Sequence, residues 1–183
     1  ENDEWWGKGF TEWTNVTKAK PNFIGHYQPH LPIHNGFYDL RIPEVMIEQA
    51  RLAKNYGIYG FNFYYYWFNG KVLMQKPFEI LLQHKEIDIN FCITWANENW
   101  TRTWDASENE VLIAQRHSDI DSREFIRNMF QYFEDSRYIR VNNKPVLIIY
   151  RCDIIPNIFD FSLIWREEVI KEGFEGIHLV CAQ

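Results

Sequence analysis

The stretch of sequence that decides the fold runs from Ile89 to Asp105 and reads INFCITWANENWTRTWD. Its first part, Ile89 to Ala96, is a mostly apolar run of strand length. Bulky side chains alternate along this part with smaller, more polar ones. The alternation predicts a strand with two different faces: Ile89, Phe91, Ile93 and Trp95 against a helix layer, and Asn90, Cys92, Thr94 and Ala96 towards an interior.

Three more apolar runs and four helical patterns surround this strand. The additional strands are predicted at residues 58–65, 146–150 and 176–181. Two helical patterns begin at Pro43 and at Pro77. A third follows Asp121, and a fourth includes residues 161–169. Apolar strands that alternate with helices predict βαβ units and a parallel sheet.

A doubly wound sheet and a (β/α)8 barrel both fit this alternation. No glycine-rich phosphate loop follows any of the strands, which counts against the nucleotide-binding doubly wound fold. A whole barrel usually takes about 250 residues, whereas this sequence has 183. We therefore predict an α/β fold of the (β/α)8 TIM-barrel type, as an incomplete barrel of about four βα units that lacks the first strand.

The predicted organisation is a single partial barrel domain over residues 1–183. Residues 1–41 show no steady period and are rich in glycine and proline, which predicts a long ordered loop on the active face. Residues 42–183 carry the alternating helices and strands. Because an incomplete barrel exposes two sheet edges, we expect the missing half to come from absent residues or from another chain.

Bulk composition argues against several functions. A net charge of −6 is unlike a nucleic-acid-binding protein, which clusters Lys and Arg. No run reaches the ~18 apolar residues of a transmembrane helix. Cys92, Cys152 and Cys181 lie in or beside apolar runs without C-x-x-C spacing, which predicts buried free thiols in a reducing compartment. We expect a cytoplasmic protein without a cofactor.

The second part of the opening stretch, Thr94 to Asp105, indicates sugar chemistry. It combines three tryptophans with a Glu, an Asp, an Arg and two Asn. Burying so many polar groups without partners would cost several kcal/mol each, so the run is not a core segment. A pyranose ring stacks its C–H face on an indole and needs fixed donors and acceptors for its hydroxyls.

Glu98 is the strongest catalytic candidate. Strand parity continued past Ala96 puts Glu98 on the inner side at the carboxyl end of its strand, where barrel enzymes keep catalytic groups. The same counting puts Asn62, Tyr64 and Tyr66 inward. Neighbouring tryptophans would partly desolvate the Glu98 carboxyl, which suits a general acid. The alternative is a Glu98 that pairs with Arg102 to hold the loop.

Glu12 and Asp105 are the candidates for a second carboxylate. Carboxyl groups ~5–5.5 Å apart suit retention of configuration, and ~6.5–9.5 Å suits inversion. Glu12 belongs to the N-terminal loop that would lie over the same face. An ion pair of Glu12 with Lys8 or Lys18 is an equal alternative.

Other polar and aromatic residues are candidates for binding the substrate. The stacking candidates are Trp13, Tyr66, Trp67, Trp100 and Trp104, with core packing as the alternative for each. The candidates for hydrogen bonds to hydroxyls are Asn97, Asn99 and Arg102, with pinning of the loop as the alternative. The residues that end the third strand, Tyr150, Arg151 and Asp153, are either subsite residues or loop anchors.

A metal site is not predicted. His26, His30 and His34 recur at every fourth position, but Pro29 and Pro32 interrupt any helix there, and no H-E-x-x-H motif occurs.

Several motifs make the sequence similar to a known family. They are residues 1–13 (ENDEWWGKGFTEW), 26–30 (HYQPH), 36–41 (GFYDLR), 57–61 (GIYGF), 66–70 (YWFNG) and 95–100 (WANENW). On these residues the chain resembles the WbsX-like glycosyltransferase family, which is related to the endo-α-mannosidases of glycoside hydrolase family 99.

The resemblance implies a (β/α)8 barrel that acts on bacterial glycans, often in polysaccharide, lipopolysaccharide or O-antigen gene clusters. Family members usually begin with a strand that this sequence lacks, in line with a partial barrel. The related mannosidases carry two close carboxylates after the strand that corresponds to Phe91–Ala96. This sequence has Glu98 there, with Asp105 seven residues further on.

Three functions stay open at this stage. The preferred one is an enzyme that transfers or hydrolyses glycosyl units, with a glycan or sugar donor as substrate. A glycan-binding module without catalysis would use the same aromatic and amide groups. A protein-interaction domain would use the aromatic patch as an interface.

Overall fold

The computed structural model describes residues 7–102 and 107–182, with the side chains of 102 and 107–110 left out. The helices are α1 (Glu12–Lys18), α2 (Pro43–Asn55), α3 (Lys76–Gln83), α4 (Asp119–Phe133) and α5 (Ile158–Glu172), with a short 3-10 turn at Cys152–Ile154. The strands are β1 (Gly60–Phe68), β2 (Lys71–Leu73), β3 (Asn90–Trp95), β4 (Trp100–Arg102), β5 (Ser107–Ile113), β6 (Arg140–Val141), β7 (Lys144–Ile149) and β8 (His178–Cys181).

The predicted alternation of helices and strands is confirmed. β1, β3, β7 and β8 correspond to the four predicted strands, and α2, α3, α4 and α5 to the four predicted helices. One boundary signal is clear: Gly173 ends α5 in a left-handed conformation with φ 106°. The prediction of a continuous loop over residues 1–41 is wrong in one respect, because α1 lies within it. Thr11 and Thr14 form a capping box at the start of α1, a local signal that the sequence did carry.

The four main strands form one parallel sheet in the order β1-β3-β7-β8, which is their order along the chain. A doubly wound sheet would reverse this order at a switch point. Among the described residues β1 and β8 do not pair with each other, so the sheet is open. The short strands β2 and β6 add antiparallel pairs to β1 and β7, and β4 pairs with β5 as a separate hairpin.

The hydrophobic core lies between this sheet and the helices. Phe91, Ile93 and Trp95 are fully buried on the helix-facing side of β3, as their parity predicted. Trp95 stacks on Phe125 of α4, with 4.6 Å between ring centroids, and meets Trp165 of α5 edge-on. Burying a side chain of this size stabilises the fold by roughly 1.5–3 kcal/mol, so Trp95 anchors both helices to the sheet.

Arg137 fastens the amino-terminal end of the sheet. Its guanidinium donates to the carbonyl oxygens of Leu81, His84 and Ile87, just before β3 begins. It also pairs with Asp135, whose second partner is Lys85. The carboxylate of Asp135 is 1% exposed, so this network is part of the interior.

The prediction of three free thiols is wrong for two of them. Cys152 and Cys181 form a disulfide, and Cys92 is the buried free thiol. β7 and β8 are parallel neighbours with Ile149 opposite Cys181, so the turn after β7 brings Cys152 to the end of β8. Spacing along the sequence could not reveal a contact between residues 29 positions apart.

No helix within the described ranges is both long enough and apolar enough to cross a lipid bilayer.

Candidate active site

Polar side chains cover the sheet face that points away from the helices. The hydroxyl of Thr94 and the thiol of Cys92, both on β3, donate to Oδ1 of Asn62 on β1, at 2.8 Å and 3.6 Å. Burial raises the pKa of the Cys92 thiol, so it stays neutral. The inward direction predicted for Asn62 is confirmed, and these three residues form an uncharged polar floor.

Two exposed tyrosines stand at the carboxyl ends of the strands on the same face. Tyr64 on β1 and Tyr150 just after β7 lie on either side of β3. Their rings meet edge-to-face at 5.8 Å, with 49% and 37% of each residue exposed. A pair of accessible aromatic rings beside a polar floor suits a sugar ring, which offers both C–H faces and hydroxyls.

A second aromatic group lies next to this pair. Tyr66, also inward as predicted, packs against Trp100 at 5.2 Å, and Phe68 meets Trp100 at 6.1 Å. Burial raises the pKa of the Tyr66 hydroxyl, and the negative charge of Glu12 raises it further. The charge of Glu12, the first residue of α1, therefore acts on Tyr66.

Glu98 lies at the carboxyl end of β3 and contacts Arg151. Arg151 Nη1 donates to Glu98 Oε1 at 3.0 Å, and 46% of the Glu98 side chain is exposed. The other edge of the guanidinium pairs with Asp153, through Nε at 2.7 Å and Nη2 at 2.6 Å. The hydrogen bond from Arg151 lowers the pKa of Asp153, which keeps this carboxylate charged.

Asn97 holds Arg151 in this position. Its side-chain amide donates to the Arg151 carbonyl at 2.7 Å and accepts from the Arg151 amide at 2.8 Å. Asn97 is completely buried, with both polar groups of its side chain engaged by the Arg151 backbone. Its contact with substrate hydroxyls stays a prediction. The other interpretation, that Asn97 pins the loop, describes what it does here.

Trp67 is not part of the site, contrary to the prediction. It is 4% exposed and faces the helices, where Nε1 donates to Asp121 Oδ1 at 2.7 Å. The reason is strand parity: Tyr64 and Tyr66 point inward, so Trp67 points outward with Tyr65. The two-residue period that predicts an inward Tyr66 also predicts an outward Trp67.

The expected tryptophan enclosure of Glu98 is not what the described residues show. Trp95 faces the helix layer, and Trp100 packs on β1. Trp104 and Asp105 lie outside the described residues, as does the side chain of Arg102. The partner of Glu98 that the structure does describe is Arg151, which the sequence marked only as a residue at the end of the third strand.

Two further candidates have structural contacts. Trp13 donates from Nε1 to the carbonyl of Tyr38 at 3.0 Å and packs edge-on against Phe37 and Tyr38. It therefore joins α1 to the segment that precedes α2. Asn99 accepts from the backbone amide of Gln115 at 2.7 Å and pins the segment that follows β5.

Within the described residues no three His, Cys, Asp or Glu side chains converge as metal ligands. His26 accepts from the Asn22 amide and stacks on Phe23, and His30 meets Tyr27 edge-on.

A family model described as Glycosyltransferase WbsX matches residues 1–183, the whole chain. The chain belongs to the WbsX glycosyltransferase family. The resemblance noted from the sequence motifs is thereby confirmed, and a carbohydrate-active domain follows for this WbsX-family chain.

Known proteins similar to this WbsX-family chain include "Uncharacterized protein WxcX" from two strains of Xanthomonas campestris pv. campestris. Each is 46% identical over 183 residues, which is 100% of this chain and 26% of the relative. The chain thus spans about a quarter of the length of the curated relatives it matches. A solved structure described as "Glycoside hydrolase-like protein" superposes with a TM-score of 0.56 at 16% identity, over 82% of this chain and 47% of that one. At this identity the likeness concerns the fold alone.

Proposed function

We propose that this domain belongs to an enzyme that transfers or hydrolyses glycosyl units on a bacterial polysaccharide or O-antigen-type glycan, with Glu98 as its key carboxylate. The observation that carries the proposal is the position of Glu98. It follows a central parallel strand at the carboxyl end of the sheet, where Tyr64 and Tyr150 are exposed beside it. Active sites of parallel βα folds are built at this end.

Each part of the site has a matching role in glycosyl chemistry. The exposed rings of Tyr64 and Tyr150 would stack on a pyranose, while the exposed side chain of Asn62, held by Thr94, offers a neutral polar group to its hydroxyls. Glu98, with nearly half of its side chain exposed, remains accessible to a glycosidic oxygen or an anomeric carbon. Glu12, whose charge reaches Tyr66, stays a candidate for the second carboxylate.

The sheet supports a (β/α)8 barrel as the complete fold. Four parallel strands in chain order with the connecting helices on one face are the arrangement of a half-barrel. Within the described residues, the edge of β1 that precedes its pairing with β2 and the outer edge of β8 are open, and they would then pair with further strands from other parts of a longer chain or from another chain.

The test compares the turnover of the full-length wild-type protein with that of its Glu98→Gln variant. We expect the wild type to release or transfer sugars from bacterial oligosaccharides or from a nucleotide- or lipid-linked donor, as followed by mass spectrometry. Loss of a catalytic carboxylate typically costs ~10²–10⁴-fold in turnover, with glycan affinity kept. Glu172→Gln, at the exposed end of α5, is the matched control and should behave as wild type.

The alternatives give different results. Glycan binding without any turnover would indicate a glycan-binding module. If the protein neither binds nor turns over any glycan of the panel, a role in glycan chemistry is ruled out. Turnover that survives Glu98→Gln would remove Glu98 from the mechanism and leave the domain assignment standing.

A further inference from the structure

Arg151 lies between two carboxylates at the carboxyl end of the sheet. We propose that Arg151 is a positioning residue that holds the Glu98 carboxylate in its reactive place, with Asn97 and Asp153 holding Arg151. The inference rests on the proposed function of Glu98 and adds the residues that set its geometry.

The backbone of Arg151 is fixed first. Asn97 makes two reciprocal hydrogen bonds to the amide and carbonyl of Arg151, and both are 2.8 Å or shorter. Asn97 is one residue before Glu98, so the loop after β3 and the end of β7 are joined at the point where the two charged side chains leave the backbone. A buried amide with both groups satisfied is costly to displace, since each lost bond leaves a buried polar group unpaired.

The guanidinium is oriented next. Asp153 takes the edge formed by Nε and Nη2, at 2.7 Å and 2.6 Å. Since the guanidinium is planar and rigid, fixing one edge fixes the direction of the remaining nitrogen, Nη1. Nη1 points at Glu98 Oε1, at 3.0 Å.

The segment that carries Asp153 has its own anchor. Cys152, between Arg151 and Asp153, is joined by its disulfide to Cys181 at the end of β8. The short turn at Cys152–Ile154 is therefore tied to two neighbouring strands, β7 and β8. Glu98 is thus held by a chain of contacts that begins in the buried sheet.

Glu98 itself stays available. The hydrogen bond from Arg151 uses Oε1, and 46% of the Glu98 side chain is exposed. A carboxylate that is oriented yet accessible suits catalysis, because a misplacement of about 1 Å can cost ~10²-fold in rate. A purely structural ion pair would not require the carboxylate to face open solvent beside two exposed tyrosines.

The test combines crystallography with kinetics on the full-length protein. In Arg151→Ala we expect the Glu98 carboxylate to leave its wild-type position, and turnover to fall ~10–10²-fold with KM changed much less. Guanidinium chloride at low millimolar concentration should restore part of the turnover and the position of Glu98. Asp153→Asn should cause a smaller loss in the same direction.

Arg51→Ala is the matched control. Arg51 makes a similar two-point contact with Glu48 on α2, at 2.7 Å and 2.6 Å, and is similarly exposed. It should leave Glu98 and turnover unchanged.

The outcomes separate this proposal from the proposed function. A Glu98 carboxylate that keeps its place in Arg151→Ala overturns the positioning role, whatever the turnover. If the wild type acts on no glycan, the proposed function fails, and the movement of Glu98 in the crystal alone decides the role of Arg151.

Discussion

Arg137 and Arg151 each pair with an aspartate two residues away, but they lie at opposite ends of the parallel sheet. At the amino-terminal end, the Arg137 and Asp135 side chains are 11% and 1% exposed. At the carboxyl end, Arg151 and Asp153 are 43% and 63% exposed. The same two residue types therefore form an interior network at one end and an accessible cluster at the other.

The difference shows how each end is used. The guanidinium of Arg137 also donates to backbone carbonyls before β3, so it stabilises the amino-terminal end of the sheet. Arg151 has Nη1 directed at Glu98, a carboxylate open to solvent. In parallel βα folds the amino-terminal face serves stability and the carboxyl-terminal face carries the active site. The two pairs follow that division.

The largest effect should come from Arg137→Ala. The substitution leaves the buried Asp135 carboxylate with Lys85 as its remaining charged partner and takes one donor from each of three backbone carbonyls. Removing one partner of a buried ion pair costs about 3–5 kcal/mol. Urea unfolding followed by circular dichroism would measure the loss. Arg151→Ala is the counterpart at the other end and should destabilise the fold much less, because exposed ion pairs contribute little. Equal losses from the two variants would contradict the comparison.

A smaller effect should appear in acid. Burial opposes ionisation of Asp135, but hydrogen bonds from Arg137 and Lys85 outweigh it and hold the pKa well below its usual range. The stabilisation is therefore complete above the unfolded pKa of about 3.9 and is lost as the pH falls towards the folded value.

From this linkage we expect the contribution of Asp135 to the free energy of unfolding to fall by about 1–2 kcal/mol between pH 5 and pH 2. Unfolding curves recorded at each pH would measure it. Asp135→Asn should be less stable at neutral pH and should show a flatter acid dependence. A variant as steep as the wild type would assign the acid loss to other carboxylates.

The smallest effect on stability should come from Glu98→Gln. Substitutions of exposed groups usually change the free energy of unfolding by less than about 0.5 kcal/mol, and Glu98 is nearly half exposed. Calorimetry should therefore give a melting temperature close to that of the wild type. A marked destabilisation would mean that Glu98 is a structural member of the Arg151 cluster, in the same sense as Asp135 is of the Arg137 network.

Much of the fold was predictable because its signals are local. Strand parity around Phe91 and Trp95 depends only on neighbours along the chain, and it correctly assigned Asn62, Tyr64 and Tyr66 to the inner face. Trp67 follows the same two-residue period and faces the helices, so the local signal also covers the residue whose prediction as a stacking platform was wrong.

The site itself depends on contacts between distant residues. Glu98 and Arg151 are 53 positions apart, and no local pattern relates them. No local pattern relates Cys152 to Cys181 either, because they are 29 positions apart.

The alternation within the stretch from Ile89 to Asp105 predicts which side chains of β3 face the helices. Its polar, tryptophan-rich end makes Glu98 a catalytic candidate. Those features follow from the two-residue period of a strand, which any reader of the sequence can count. The tertiary structure decided what surrounds Glu98. Because β7 lies beside β3 in a parallel sheet, their carboxyl ends meet, and this brings Arg151 and Asp153 to the carboxylate.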